Sequence, residues 1–403
     1  MLIFVPSFLK MMTNIIITYN AKTKKRNNMK FQVLSSELLS HLTSISRVLN
    51  SKNAMPILEN FLFNVEPDRL VITASDGDTT MVTSVKLDSV EGTGALVVSP
   101  KNLLEPLKEM PQQEISFEVD EENLEIFVTY ESGKFNFIAG AAKDYPVQKP
   151  LNSDAQTFTL PAQTLLAGIQ NTFFATADDD LRPVMNGIFF DIREDQLIFV
   201  ASDSKKLVRL INKAVKPGFT ANFILPKKPA NILKNVIAKD AADATVTFDS
   251  KSARITVGDY SVSCRLIDGR FPRYESVIPK NNVNKVTIER QTLINVLRRV
   301  AVFANAATNQ VKFDLTNDLI TVSAQDIDFS VSATERVSCS YSGVAMAIGF
   351  RASFLVEILN TITSAEVEIQ LSDHARAALI VPIDNNEEED LLMLIMPMML
   401  TDF

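Results

Sequence analysis

One short segment occurs three times and decides the fold: LVITASD at 70–76, LIFVASD at 197–203 and LITVSAQD at 319–326. Each copy is an apolar, β-branched run that ends on a small residue and an aspartate, as a buried strand does where it closes in a turn. The three copies lie roughly 125 residues apart, which is the length of a whole domain and too long for a solenoid repeat. The spacing therefore predicts one domain repeated three times.

The closing aspartates, Asp76, Asp203 and Asp326, allow two interpretations. Three carboxylates could form three acidic active sites, because a carboxylate can act as a general base or bind Mg²⁺. They could equally be three copies of one turn, in which aspartate accepts nearby backbone N–H groups. Only Asp78 and Asp328 offer a second carboxylate, and no second group is common to all three copies. We therefore prefer the structural turn and expect no catalytic residues.

Composition narrows the class of protein. Hydrophobic residues make up 46% of the 403 residues, and no run of about 18 apolar residues predicts a spanning helix. Glycine is scarce, and neither GxxxxGK[ST] nor GxGxxG occurs. Cys264 and Cys339 form no CxxC motif, and His41 and His374 are the only histidines. We expect a globular protein of a reducing cytoplasm, with no cofactor and no metal.

The first 28 residues do not match the rest of the chain. The apolar segment 1–19 precedes the basic segment 21–28, which is the reverse of a signal peptide. We expect residues 1–28 to be an upstream extension or a disordered tail, with a true start at Met29. Two alternatives stay open: a membrane anchor, and an exported β-rich structural scaffold.

After Met29, each third of the chain has the pattern β-α-β-β-β twice. The predicted fold class is α+β, with domains at 29–150, 151–280 and 281–403, and with sheets packed against one face of each helix. A strand is predicted from Ile57 to Val65. The predicted helices are 35–52, 101–109, 162–177, 227–239, 290–303 and 351–362.

Charge is distributed unevenly between helices and strands. The net charge of −8 by itself argues against a nucleic-acid partner. The predicted helices are nevertheless net basic, whereas the strands and loops are strongly acidic. Lysine and arginine favour helices in any protein, so this could be propensity alone. A basic helical surface with few aromatic residues is also typical of sequence-independent contact with phosphates.

Two further segments identify a family. The sequences LIDGRFPRY at 266–274 and MPMML at 396–400, together with the threefold repeat, closely resemble the bacterial DNA sliding clamps, the beta subunits of the replicative DNA polymerase III. The resemblance extends from Met29 to Leu400. It implies a non-catalytic processivity factor, in which two chains join head to tail into a ring around duplex DNA, with helices inside and sheets outside. It also implies a cytoplasmic, nucleoid-associated protein.

The resemblance assigns residues to three surfaces. The DNA-facing residues would be Lys52, Lys101, Lys227, Lys228, Lys234, Arg298, Arg299 and Arg351. The dimer contacts would be Phe135 and Phe137 against Val302 and Phe303, although the phenylalanines could instead belong to the domain core. The pocket for partner peptides would comprise Met185, Ser202, Lys205, Lys206, Leu207, Pro272, Val277, Leu394, Ile395, Met396, Pro397 and Met398.

A Met-Pro-Met run suits a pocket that must accept varied partners, because methionine is flexible and polarizable. The expected partners are double-stranded DNA, a second copy of the chain, the polymerase catalytic subunit, the clamp loader, other polymerases, and ligase or mismatch-repair factors that carry short linear motifs. No membrane partner is expected. The chain departs from the family at 204–206, where Ser-Lys-Lys replaces Gly-His-Arg, at Ser276, which replaces a basic residue, and in the extra tail 401–403.

Overall fold

The computed structural model describes residues 28–146, 149–237, 242–385 and 387–400. The predicted extension up to residue 27, Lys239 and the tail 401–403 lie outside these ranges. The described residues form two compact units. One takes in the chain up to Lys149 together with Asp259–Ser261, and the other takes in Pro150–Gly258 and the chain from Val262 onward. The predicted boundaries at 150 and 280 stay predictions.

The described part of the N-terminal third contains two α-helices and ten strands. The helices are α1 Ser35–Ile45 and α2 Pro100–Lys108. The strands are β1 Asn28–Leu34, β2 Phe61–Val65, β3 Arg69–Ser75, β4 Thr79–Lys86, β5 Ser89–Glu91, β6 Gly94–Val98, β7 Glu114–Asp120, β8 Glu125–Tyr130, β9 Gly133–Ile138 and β10 Gly140–Ala141. They pair in the orders β5-β1-β7-β8-β9 and β10-β6-β2-β3-β4.

The remaining two thirds contain four α-helices and seventeen strands among the described residues. The helices are α3 Ala162–Phe173, α4 Lys227–Val236, α5 Arg290–Val300 and α6 Ala352–Thr361. The strands of the middle third are β11 Gln156–Pro161, β12 Gly187–Arg193, β13 Gln196–Ser202, β14 Lys206–Asn212, β15 Ala221–Pro226, β16 Asp243–Phe248, β17 Ser252–Val257 and β18 Tyr260–Arg265. Those of the last third are β19 Asn284–Glu289, β20 Gln310–Thr316, β21 Leu319–Asp326, β22 Val331–Ser338, β23 Ser340–Ser342, β24 Met346–Arg351, β25 Glu366–Leu371, β26 Ala378–Pro382 and β27 Glu389–Ile395.

The predicted α+β fold class and the twice-repeated β-α-β-β-β unit are confirmed in all three thirds. Several predicted bounds are wrong. The strand predicted from Ile57 begins at Phe61, because Pro56–Glu59 forms a 3-10 turn with proline at its start. The helix predicted at 290–303 ends at Val300, and Ala301–Phe303 is a separate 3-10 turn.

The helices are held by one apolar stripe each. In α5 the side chains of Leu293, Leu297 and Val300 are fully buried, at the i, i+4, i+7 spacing of a single helix face. The carboxylate of Glu289 caps this helix by accepting hydrogen bonds from the backbone N–H groups of Gln291 and Thr292. The six helices of the described residues pack in pairs, α1 with α2, α3 with α4 and α5 with α6.

A nine-stranded sheet runs through the second unit in the order β15-β12-β13-β14-β27-β26-β25-β19-β23. Strands β14 and β27 pair antiparallel over their whole length, from Lys206 opposite Ile395 to Asn212 opposite Glu389. On one face of this sheet, Leu207, Leu392 and Leu394 join a buried apolar cluster with Phe271 and Tyr274. Residues from distant parts of the sequence therefore share one core around the β14–β27 seam.

Candidate functional site

The first and middle copies of the repeated segment end in the same hydrogen-bonded turn. A carboxylate oxygen of Asp76 accepts from the backbone N–H groups of Asp78 (3.0 Å) and Thr79 (2.7 Å). The carboxylate of Asp203 accepts from those of Lys205 and Lys206, both at 2.8 Å. The structural interpretation of these two aspartates is thereby confirmed.

The third copy keeps only part of this turn. The carboxylate of Asp326 is buried and accepts from the backbone N–H of Asp328 (3.1 Å) and from the side-chain amide of Asn305 (3.3 Å). The turn that follows exposes Ile327 and Phe329. The three aspartates thus act in local turns. Among the described residues, no group of three or more His, Cys, Asp or Glu side chains is placed to hold a metal ion.

A cavity of about 460 Å³ opens beside the middle turn. Its walls come from the ends of β13, β14 and β27 and from the segment that follows β18, and they are mainly apolar. The lining residues are Arg182, Met185, Ser202, Ser204, Lys206, Leu207, Phe271, Pro272, Arg273, Tyr274, Val277, Leu394 and Met396.

Most of the residues predicted for the partner pocket meet at this cavity. Those that line it are Met185, Ser202, Lys206, Leu207, Pro272, Val277, Leu394 and Met396. The other four predicted residues do not line the cavity: Lys205, Ile395, Pro397 and Met398. Side chains alternate between the two faces of a strand, so Ile395 points away from the cavity face that Leu394 and Met396 share, and it is fully buried.

The C-terminal segment is fixed by backbone pairing, which explains the position of Pro397 and Met398. The backbone N–H of Met396 donates to the carbonyl of Lys205, and that of Met398 donates to the carbonyl of Gly349, both at 2.8 Å. Met398 therefore pairs with β24, beyond the cavity.

Lys206 has a different role from the one that the sequence predicts. Its side chain is only 6% exposed, and its Nζ atom lies 3.2 Å from Asp203 and 3.0 Å from Glu357 of α6. The same ammonium group sits 4.0 Å from the ring centroid of Phe354, a cation–π distance. These contacts neutralise the charge of Lys206 inside the fold, so the ammonium group is not available to a ligand at the rim of the cavity.

The segment after β18 forms one wall, and stacking and hydrogen bonds hold it in place. The ring of Phe271 stacks on Phe189 of β12, with centroids 4.7 Å apart and planes 5° from parallel. The hydroxyl of Tyr274 donates to Asp191 at 2.7 Å, and Arg193 bonds the same carboxylate. Burial, together with this bond to Asp191, raises the pKa of Tyr274 well above its usual range, so the phenol stays protonated and keeps donating.

Gly269 is required by the tight turn that starts this wall. Its φ angle is +120°, a backbone conformation that L side chains rarely adopt, and a Cβ atom there would lie 2.7 Å from a methyl group of Val184. A larger residue would be strained by its backbone and would also collide with its neighbour. The glycine of the DGRFPRY motif thus allows the chain to turn close against the 3-10 turn Pro183–Met185.

Five lining residues were missed by sequence reasoning. Phe271, Arg273 and Tyr274 lie inside the DGRFPRY motif, from which only Pro272 was selected, so the motif itself carried the signal. Ser204 belongs to the repeated turn. Arg182 had no signal: it comes from the loop before β12 and reaches the cavity through bonds to Asp179 and Ser204.

The predicted DNA-facing residues differ in how far their charges are already paired. Lys52, Lys101 and Arg298 are exposed. The ammonium of Lys227 lies 2.7 Å from Asp178, and the Nε and Nη2 atoms of Arg299 donate to the two carboxylate oxygens of Glu335 at 2.8 and 2.7 Å. Two further cations lie over aromatic rings, Lys234 over Phe173 and Arg351 over Phe354. Lys228 also interacts with another group.

The predicted dimer contacts lie beside edge strands. Phe135 and Phe137 belong to β9, the last strand of its sheet, where Phe137 is buried and Phe135 half-buried. Together with Lys101 they line a shallow depression of about 400 Å³. Val302 (76% exposed) and Phe303 (39%) lie in the 3-10 turn after α5, which contacts the edge strand β22. Phe135 and Phe137 therefore belong partly to their own core.

No helix within the described residues is both long and apolar enough to cross a membrane.

Comparisons with known proteins agree along most of the described chain. Models of the DNA polymerase III beta subunit match residues 29–149 with the N-terminal domain, 159–273 with the central domain and 275–399 with the C-terminal domain. The beta sliding clamp of Proteus mirabilis is 30% identical over 377 residues, covering 92% of this chain and 100% of that protein. The crystal structure of the sliding clamp from Pseudomonas aeruginosa superposes with a TM-score of 0.87 at 27% identity, covering 93% of this chain and 100% of that one. The clamp from Thermotoga maritima gives 0.85 at 26% identity, with the same coverage. The chain therefore belongs to the family of bacterial beta sliding clamps, the accessory and non-catalytic beta subunits of DNA polymerase III.

Proposed function

We propose that the cavity beside the middle turn binds short linear motifs of replication and repair proteins, and so tethers them to DNA. The observation that carries this is an apolar cavity whose walls come from β14, β27 and a hydrogen-bonded wall segment. Leu207, Leu394 and Phe271 form its floor, whereas Val277 and Met396 are 56% and 43% exposed at its mouth. A preformed, concave, mainly apolar site of this size is typical of a ligand pocket.

The expected binding free energy of such a peptide is suited to partners that exchange with one another. A peptide that buries one leucine and one phenylalanine gains about 1.5–3 kcal/mol from each. Ordering of the peptide offsets part of this gain and main-chain contacts add to it, which gives affinity of roughly micromolar strength. The polymerase catalytic subunit, the clamp loader, other polymerases, ligase and mismatch-repair factors are the proposed partners, each able to leave before the next one binds.

The second part of the proposal concerns DNA. Two copies join head to tail into a ring that encloses the duplex without reading its sequence. Phosphate contact would fall first to the exposed Lys52, Lys101 and Arg298. Lys227 and Arg299 already have carboxylate partners, which lowers what each one adds to non-specific affinity. The ring would work in the cytoplasm on the nucleoid.

Edge strands support the proposed dimer. The strands β9 and β22 each end a sheet, and an edge strand offers free N–H and C=O groups to another chain. The exposed apolar side chains of Val302 and Phe303 lie beside β22, and the depression with Phe135 and Phe137 lies on β9. Pairing β9 of one copy with β22 of another would cover both edges and bring these residues together.

Replacing the two exposed apolar side chains at the mouth of the cavity tests the proposed tethering role. In Met396→Ala/Val277→Ala, a fluorescent peptide with one leucine and one phenylalanine should bind about 30-fold more weakly, a loss of roughly 2 kcal/mol of apolar contact. The matched control is Met399→Ala/Val283→Ala, which removes two equally apolar, exposed side chains away from the cavity. Fluorescence anisotropy measures both. Equal affinity of the two double variants would refute the cavity as the binding site.

A further inference from the structure

The cavity carries cationic side chains and no carboxylate among its lining residues. Its three cations are Arg182, Lys206 and Arg273, and the rest of the lining is apolar or neutral. A bound peptide therefore meets a rim whose net charge depends on how many of these three cations are already neutralised within the fold.

Two of the three are neutralised. The guanidinium of Arg182 binds Asp179 at 2.8 Å, and this hydrogen bond holds the pKa of Asp179 below its usual range. The ammonium of Lys206 is buried between Asp203 and Glu357. Neither charge is available to a ligand without breaking an existing ion pair.

Arg273 differs from both. Its side chain is exposed, and its guanidinium has no hydrogen-bond or ion-pair partner among the described residues. The neighbouring carboxylate, Glu275, binds Arg193 at 2.6 Å instead. The backbone beneath Arg273 is fixed, because its carbonyl accepts from the hydroxyl of Ser276 at 2.6 Å and Tyr274 is anchored on Asp191. A free guanidinium thus stands on a rigid wall at the mouth of an apolar cavity.

We propose that Arg273 is a specificity-determining residue that selects peptides with a carboxylate next to their apolar anchors. This rests on the proposed function of the cavity as a peptide site. A guanidinium can bind a carboxylate through two parallel hydrogen bonds, which fixes the position of the acidic side chain relative to the anchors. The cavity supplies most of the affinity, and Arg273 discriminates among peptides that share the same apolar residues.

Two synthetic hexapeptides test the inference. Both carry the same leucine and phenylalanine, and they differ only in aspartate against asparagine at the residue next to the leucine. At low salt the aspartate peptide should bind the unchanged protein about two- to five-fold more tightly, the range of an exposed ion pair. The preference should shrink at high salt, because exposed charges are screened.

Charge reversal on the protein gives the decisive comparison. Arg273→Glu should reverse the preference, whereas Arg273→Lys should retain part of it. Arg270→Glu is the matched control: it makes the same change of charge on an exposed arginine three residues away that does not line the cavity. It should leave the ratio of the two affinities unchanged.

The outcomes separate the inference from the proposed function. If both peptides bind the unchanged protein equally, or if Arg273→Glu and Arg270→Glu shift the ratio alike, the inference is overturned while the cavity remains a peptide site. Failure of both peptides to bind would refute the proposed function and the inference with it.

Discussion

The first and middle turns have the same backbone and different surroundings. In both, the serine hydroxyl donates to the carbonyl four residues later, from Ser75 to Thr79 at 3.3 Å and from Ser202 to Lys206 at 2.9 Å. In both, the residue after the aspartate has a positive φ, +102° at Gly77 and +75° at Ser204. The fourth position is buried in each turn, but it is a threonine in the first and a lysine in the middle one.

That one position shows how a repeated turn acquires a specific role. The side chain of Thr79 is short and buried. Lys206 is long enough to reach Glu357 and Phe354 on α6, so the middle turn is tied to the last third of the chain. The opposite side of the same turn lines the cavity. The proposed binding site therefore lies where the otherwise similar copies differ.

The largest predicted effect is on stability. Lys206→Met leaves the carboxylates of Asp203 and Glu357 without their cation, and we expect a loss of about 1.5–3 kcal/mol, the range for hydrogen bonds to charged groups. Thr79→Ala, at the matching position, loses chiefly a buried methyl group and should cost about 1 kcal/mol. Urea unfolding followed by circular dichroism measures both. Equal losses would mean that Lys206 adds nothing beyond the shared turn.

A smaller effect is expected at the positive-φ position. Gly77→Ala places a Cβ atom on a left-handed backbone and should cost about 1 kcal/mol. Ser204→Ala keeps a Cβ atom that the middle turn already accommodates and loses the hydrogen bond from Arg182, so about 0.5 kcal/mol is expected. The same unfolding experiment applies. A larger loss for Ser204→Ala than for Gly77→Ala would mean that the contacts of the Ser204 hydroxyl outweigh the strain of a Cβ atom at position 77, and would contradict this expectation.

Much of the fold could be predicted because its signals are local. The apolar run that ends in Asp76 or Asp203 specifies a strand and its turn, and both are found as predicted. Contacts between distant segments could not be predicted in the same way. That Met398 pairs with Gly349, beyond the cavity, follows from the path of the C-terminal segment along β24, and that Arg299 binds Glu335 follows from the packing of α5 beside β22. Neither contact can be predicted from the residues that flank it in the sequence.

We propose that the protein holds DNA by enclosing it, while the cavity beside the middle turn holds its partners. The most direct test loads the protein onto nicked circular duplex with a bacterial clamp loader, then cuts the circle with a restriction enzyme. Retention of the protein is measured before and after the cut by gel filtration. The protein should stay on the circle and be lost from the linear product. Equal retention on both would contradict enclosure.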